Sequence, residues 1–231
     1  MKVALLSDIH ANLPAFSAVL NDLPNVDILL CLGDMVGYYL DSNEVCELVR
    51  RHNICAIRGN HDAYVLGELT PNPDRAASYR TEWTRQTLAV QHLAWLRTLP
   101  TVMEFRWGRM SVRLCHAAPW SEEAYVYPDS PKLSEISLAQ NEILVLGHTH
   151  RPMRVRCGNG FVINPGSVGQ PRDYNPQASY AILDTASGNV DFRRVHYELA
   201  PLQDRLLASG CDPVMIAMLS RTEPSRHAPH N

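Results

Sequence analysis

Five short apolar runs in this 231-residue chain each lead into residue types that hold metal ions. VALLS leads into Asp8-Ile9-His10, and ILLCL into Gly33-Asp34. ICAIR leads into Gly59-Asn60-His61-Asp62, SVRLC into His116, and EILVL into Gly147-His148-Thr149-His150. In α/β folds ligands collect outside the carboxyl ends of the strands, so five such strands side by side would bring these residues to one rim. Imidazole mixed with carboxylate oxygen suits manganese, iron, zinc, cobalt or nickel. It is too rich in nitrogen for a calcium or magnesium cage. The seven candidates Asp8, His10, Asp34, Asn60, His116, His148 and His150 exceed the need of one ion and suit two that share a carboxylate. A two-metal site is a device for phosphoryl chemistry, because it grips both the attacking oxygen and the phosphate.

Taken singly, each motif has a plain structural alternative. Asp34 could cap the following element, and Asn60-His61-Asp62 could form a turn and a helix cap. His116 could be a satisfied core histidine. Their joint occurrence, each after an apolar run, favours chemistry. Five of the ten histidines fall in these motifs; His52, His92, His196, His227 and His230 do not and read as surface or tail residues.

The elements that must position these residues alternate between strand and helix. Val3–Leu6, Asp27–Leu32 and Ile54–Ile57 read as strands, with a helix after Asn12 and another over Glu44–His52. Asp74 to Leu99 reads as helical and closes at Pro100. Val102–Trp107 and Ser111–Cys115 form a hairpin about Gly108-Arg109. Lys132–Gln140 reads as a helix and Ile143–Leu146 as a strand. Met153–Cys157, Phe161–Asn164, Tyr180–Asp184 and Val190–Tyr197 are strands joined by tight turns, which implies antiparallel pairing. Terminal helices follow over Leu199–Leu219. The pattern is a mixed α/β layered fold, with one domain over 1–221 and a loose polar tail over 222–231.

Hydrophobic residues make up 45% and charged residues 19%, which excludes a disordered or fibrous chain. No apolar run approaches the ~20 residues that span a bilayer. The opening MKVALLSDIH reads as a first strand and not as a signal peptide. Six cysteines without a CxxC pair suggest a reducing cytoplasm, with Cys31, Cys55 and Cys115 inside apolar runs as small buried hydrophobes. A net charge of −3 disfavours a long nucleic-acid track or an anionic membrane as partner. A small phosphate ester remains the expected partner, and nothing opposes a homo-oligomer.

SDIH, GD, GNHD, the lone His116 and GHTH, in this order, resemble the calcineurin-like metallophosphoesterase superfamily. The stretch Asn164–Asp173, NPGSVGQPRD, is similar to the closing motif of its small bacterial and archaeal branch. The resemblance implies a four-layer αββα sandwich of two mixed β-sheets with a dinuclear metal site at the loop edge. It implies Asp8, His10 and His150 on a first ion, Asn60, His116 and His148 on a second, and Asp34 with a hydroxide bridging them. His61 would be the general acid, and Asn60 could leave its NH₂ free for a phosphate oxygen. Manganese is the first expectation for the two divalent ions, with iron, zinc, nickel or cobalt as alternatives.

One departure from that family matters. Its protein phosphatases and diadenosine tetraphosphatases carry an arginine shortly after the GD pair, where this chain has Met35-Val36-Gly37-Tyr38. That disfavours protein-phosphatase activity. Tyr38, Tyr39 and Trp120 could offer stacking surface or simply pack the wall. Arg172 could reach a substrate phosphate or pair with Asp173 at the surface. The expectation is therefore a cytoplasmic hydrolase of phosphodiesters or small organic phosphates, attacking through a metal-bridging hydroxide. The alternatives are a phosphomonoester phosphatase or a non-catalytic protein-binding scaffold like the retromer subunit of this fold. A nuclease is disfavoured by the charge balance.

Overall fold

The structure is a computed structural model and describes residues 1–223. The chain opens with β1 (Lys2–Leu6), α1 (Leu13–Asp22), β2 (Ile28–Cys31), α2 (Ser42–Arg51) and β3 (Cys55–Ala56). Four helices follow: α3 (Asn60–Leu66), α4 (Pro73–Tyr79), α5 (Thr81–Thr87) and α6 (Val90–Thr98). Then come β4 (Val102–Trp107), β5 (Met110–Cys115), a 3₁₀ turn (Pro131–Glu135), β6 (Glu142–Val145), β7 (Met153–Cys157) and β8 (Gly160–Asn164). The described chain closes with β9 (Ala178–Asp184), β10 (Val190–Val195), α7 (Ala200–Ala208) and α8 (Pro213–Met218).

Two five-stranded mixed sheets form the body, in the orders β10-β9-β1-β2-β3 and β4-β5-β6-β8-β7. β1, β2 and β3 run parallel, as do β5, β6 and β8, so each sheet gathers its ligand-bearing strand ends on one edge. β1 reads as an unbroken apolar run because both its faces are covered. Val3, Leu5, Leu30, Leu32 and Ile57 pack against Val112, Leu114, Val145 and Ile163 between the sheets. Leu6, Cys31 and Ala56 face the other way, onto Phe16, Val19, Val45 and Val49 of α1 and α2. Asn12 starts α1 by accepting from the Ala15 N–H at 3.1 Å, with Pro14 in the first turn. Its amide also donates to the Gly169 carbonyl at 2.8 Å, tying the first βα turn to the NPGSVGQPRD stretch.

The four C-terminal strands do pair antiparallel by turns, β7 with β8 and β9 with β10. They do not make one sheet: the first pair extends the second sheet and the other pair adds to β1 in the first. The region from Asp74 to Leu99 is three helices. Arg80 is left-handed (φ 53) and Leu88 extended, and these kinks tuck Leu88 and Leu96 into the core. A single helix of that span would run roughly 39 Å, past the body it must cover. Lys132–Gln140 is not an α-helix. After the 3₁₀ turn the chain is extended, Leu138 bridges Gly158, and Leu133, Ile136 and Leu138 cover the outer face of the second sheet. The fourth layer is thus a thin strap. All six thiols are free; Cys31 and Cys115 are buried as expected, but Cys55 is exposed because β3 is a sheet-edge strand of two residues. The tail expected over 222–231, with His227 and His230, lies outside the described residues from position 224 on. No described helix is long and apolar enough to cross a membrane.

His52 and His196 are exposed, but His92 is buried on α6, contrary to the surface reading. Burial and then Arg50 lower its pKa, against Glu47 and Glu44. A histidine with a depressed pKa binds its proton less readily folded than unfolded. Its contribution is therefore complete above the unfolded value and fades as pH falls below it. The stability advantage of wild type over His92→Gln should narrow between about pH 7.5 and about pH 5, as read by urea denaturation.

Candidate metal centre

The loops that leave the strands hold unusual backbone. Asp8 (φ 54), His10 (φ 50), Asp34 (φ 55), His148 (φ 64) and His150 (φ 58) all lie in the left-handed region. Non-glycine residues there carry strain that surrounding structure must impose, and such strain clusters at functional sites. The loops impose it on one another: Asp8 N–H donates to the Gly33 carbonyl at 3.1 Å, and His10 N–H to that of Asp34 at 2.9 Å. Glycines make the approach possible. A Cβ on Gly33 would stand 2.3 Å from the Gly59 nitrogen, and one on Gly59 2.2 Å from Asp34 Oδ1.

Two groups of buried ligand atoms result: Asp8, His10 and His150, and Asp34, His116 and His148. Each carboxylate spends one oxygen on structure. Asp8 Oδ2 accepts from the Ser7 hydroxyl at 2.5 Å and the His148 N–H at 3.1 Å. Asp34 Oδ1 accepts from the His61 N–H at 2.8 Å. The other oxygen of each, Asp8 Oδ1 and Asp34 Oδ2, is buried with no hydrogen bond. Asp8 Oδ1 faces His150 Nε2 at 3.2 Å and His10 Nε2 at 3.8 Å. Asp34 Oδ2 lies 3.2 Å from His116 Nε2 and 3.6 Å from His10 Nε2, between the two groups. A bare buried carboxylate oxygen is costly unless a cation meets it.

The histidines repeat the same division of labour. Nδ1 meets a backbone carbonyl in His10 (Val36, 3.3 Å), His116 (Leu32, 2.6 Å) and His150 (Gln170, 2.6 Å). In His148 it is Nε2 that meets the Glu123 carbonyl, at 3.1 Å. A carbonyl only accepts, so each contact puts a ring proton there and turns the opposite nitrogen into the cluster; in His116 that nitrogen also holds a proton beside Asp34, which a cation would displace. This is the outer-shell pattern of metal-bound imidazole. The free nitrogens converge. His10 Nε2 and His150 Nε2 are 3.1 Å apart, and His116 Nε2 and His148 Nδ1 lie 3.0 and 2.9 Å from Asn60 Oδ1. The donor set fits two divalent cations.

The charges agree. Burial opposes ionisation of Asp8, but His150 and His116 hold its carboxyl below the usual range. Burial also disfavours a charged His116, yet Asp34 and Asp8 raise it to about 10. Burial and the neighbouring His116 take His148 down to about 3. Two carboxylates thus crowd a pocket whose other donors are mostly neutral.

His61 differs from these rings. Among the described residues its side chain makes no hydrogen bond, and it packs 4.6 Å from the Tyr38 ring, 4.6 Å from Tyr79 and 4.9 Å from His10. Tyr38 is buried over the site. Tyr39 belongs to the wall, packed with Leu202 and Leu206, and Trp120 is exposed. Asp173 is paired with Arg194, so Arg172 does not pair with it at the surface. The structure brings together every residue proposed from the strand-end motifs. It adds Ser7, Gln170 and the Glu123 carbonyl, which orient the ligands. Gln170 was visible only as part of NPGSVGQPRD, and the Glu123 carbonyl carries no signal in sequence.

This fold and double ligand cluster define a metal-dependent phosphoester hydrolase. Residues 1–188 match the calcineurin-like phosphoesterase superfamily domain, and the chain belongs to that superfamily. It is 33% identical over 224 residues to an uncharacterized protein of Methanocaldococcus jannaschii, MJ0912, covering 89% of this chain and 91% of that one. It is 31% identical over 197 residues to the phosphodiesterase YfcE of Escherichia coli, covering 80% and 88%. A crystal structure of a metallophosphoesterase from Sphaerobacter thermophilus superposes with a TM-score of 0.80 at 32% identity, covering 96% of this chain and 99% of that one.

Asp62 completes the GNHD motif without joining either cluster. Its carboxylate is fully buried and accepts from four backbone N–H groups: Asp34 (2.8 Å), Met35 (3.0 Å), Val36 (3.3 Å) and Gly59 (2.9 Å). Burial and the Asp34 charge raise it to about 7, against the Gly59 and Val36 N–H groups and the His116 charge. It fastens the strained GD loop to the start of α3. Asp62→Ala strands four buried donors and should destabilise the protein by on the order of 3 kcal/mol in urea denaturation, whereas Asp62→Asn, which keeps an acceptor, should lose less.

Proposed function

We propose that the chain hydrolyses phosphodiesters and small organic phosphates with two divalent ions. Asp8, His10 and His150 would hold one ion, Asn60, His116 and His148 the other, with Asp34 shared. The observation that carries this is the pair of bare carboxylate oxygens facing imidazole nitrogens whose opposite nitrogens are fixed on backbone carbonyls. Bound divalent ions supply the Lewis acidity that brings a water's pKa toward neutrality and offsets phosphate charge. Manganese is the ion we expect, with iron, zinc, nickel or cobalt alternatives. Six free thiols and a net charge of −3 fit a cytoplasmic enzyme of small substrates that needs no long nucleic acid.

The side chains divide the remaining work. Asn60 directs its oxygen at His116 and His148, so its amide N–H groups are free to meet a phosphoryl oxygen. Arg172 and Tyr38 line the substrate side. His61, at the rim, gives a proton to the departing oxygen. Burial, only partly offset by Asp34, holds its pKa near 4, and negative charge growing on the leaving group favours the protonated ring when it is needed.

Chelation should abolish hydrolysis and Mn²⁺ restore it, with two ions per chain at saturation by metal analysis. Asp34→Asn should cost more activity than His10→Ala and lower occupancy of both ions; one ion or fewer in wild type would overturn the shared-carboxylate reading. His61→Ala should slow alkyl ester hydrolysis by roughly 10²–10⁴-fold, and nitrophenyl ester hydrolysis far less, because nitrophenolate leaves without a proton. Metal content should stay at the wild-type level. Equal losses on both esters would remove the acid role.

A further inference from the structure

A roof of three side chains spans both ligand groups. The Tyr38 ring stands 4.7 Å from that of His10, and the Tyr125 ring 4.2 Å from that of His148. Arg172 completes it: its Nη2 donates to the Tyr38 hydroxyl at 3.1 Å, and the Tyr125 phenol lies near the guanidinium. Among the described residues Arg172 has no carboxylate partner, since Asp173 is held by Arg194. A half-buried guanidinium that stays uncompensated beside a metal centre is available to an anion.

The residue that aims it is a neutral amide. Gln170 Oε1 accepts from Arg172 Nε at 3.2 Å and Nη2 at 2.8 Å. Its Nε2 donates to the Tyr39 hydroxyl at 3.0 Å, which turns the oxygen toward Arg172. Its backbone carbonyl holds His150 Nδ1 at 2.6 Å. The fully buried Gln170 therefore orients the guanidinium and a ligand ring together. A glutamate here would reach the same atoms but would cancel the charge.

We propose that Arg172, aimed by Gln170 and flanked by the Tyr38 and Tyr125 hydroxyls, binds a second negative charge of the substrate. This rests on the two-metal reading above. Two divalent ions against Asp8, Asp34 and the bridging hydroxide leave one positive charge, which a simple diester matches, and Arg172 adds a second. The substrate class is a phosphate ester with at least two negative charges, on the scissile phosphate or on a phosphate beside it.

The test uses the full chain loaded with Mn²⁺ and three probes. These are 4-nitrophenyl phosphate, a nucleoside 5′-diphosphate and the singly charged bis(4-nitrophenyl) phosphate. Arg172→Met should shift the kcat/KM ratio against the multiply charged probes by about 10–100-fold relative to the singly charged one, mainly through KM. Arg172→Lys should recover part of it. A shift confined to the monoester puts the second charge on the scissile phosphate; a shift confined to the diphosphate puts it on the neighbour. Gln170→Glu, which keeps an acceptor for Arg172 and can accept from the Tyr39 hydroxyl in place of donating to it, should produce the same shift. Inorganic phosphate, measured by calorimetry, should bind both neutralised variants at least about tenfold more weakly at unchanged metal content. Equal losses on all three probes, lost metal, or unchanged phosphate affinity would overturn the proposal. If wild type hydrolyses none of the probes with any metal, the hydrolytic reading fails instead, while phosphate affinity still judges the roof.

Discussion

Everything at the rim of this sandwich answers to two carboxylate oxygens, Asp8 Oδ1 and Asp34 Oδ2, that are buried without a hydrogen bond. Leaving such oxygens bare is unfavourable in a dry interior, and the protein folds around that cost. The partner oxygens are anchored, by Ser7 and the His148 N–H for Asp8 and by the His61 N–H for Asp34. The anchoring fixes which way each bare oxygen points. Two divalent cations would turn the same arrangement from a liability into a binding site.

The need to hold that geometry reaches back into the backbone. Five residues of the two candidate clusters adopt left-handed conformations that non-glycine side chains disfavour, and they do so because neighbouring loops hydrogen-bond across the gap. Gly33 and Gly59 let two of those loops touch. Asp62 gathers four N–H groups from both loops and so acts as a clamp. Backbone carbonyls of Leu32, Val36, Glu123 and Gln170 set the four ligand rings. The parallel strands make this economical, since their carboxyl ends already lie side by side.

Above the ligands the chemistry changes from donors to a cation. Arg172 is steered by the Gln170 amide and the Tyr38 phenol in place of a carboxylate, which leaves its charge available to an anion. The chain has no arginine directly after the GD pair, and Arg172, from the far end of the motif series, meets that segment at Tyr38. The two positions are distant in sequence and meet only because β9 returns to pair with β1, bringing the NPGSVGQPRD stretch over the first loop.

The sequence by itself determined which residues gather in the two candidate clusters and the layered α/β plan. Short apolar runs ending in Asp, Asn or His are legible because burial on both strand faces leaves continuous hydrophobic stretches, and metal ligands are recognisable by type. It also determined the Asn12 cap, the Gly108-Arg109 hairpin and the antiparallel pairs of the last third. Tertiary structure alone decided the rest. Lys132–Gln140 has a helix-like composition but became a strap, because the exposed face of the second sheet needed Ile136 and Leu138 on an extended segment. His92 looked like a surface histidine until α6 packed against α2. Which oxygen of each aspartate is bare, which nitrogen of each histidine is free, and that Gln170 aims both Arg172 and His150 depend on contacts between residues up to 140 positions apart. No local pattern encodes them, because hydrogen-bond direction is settled only when the loops meet.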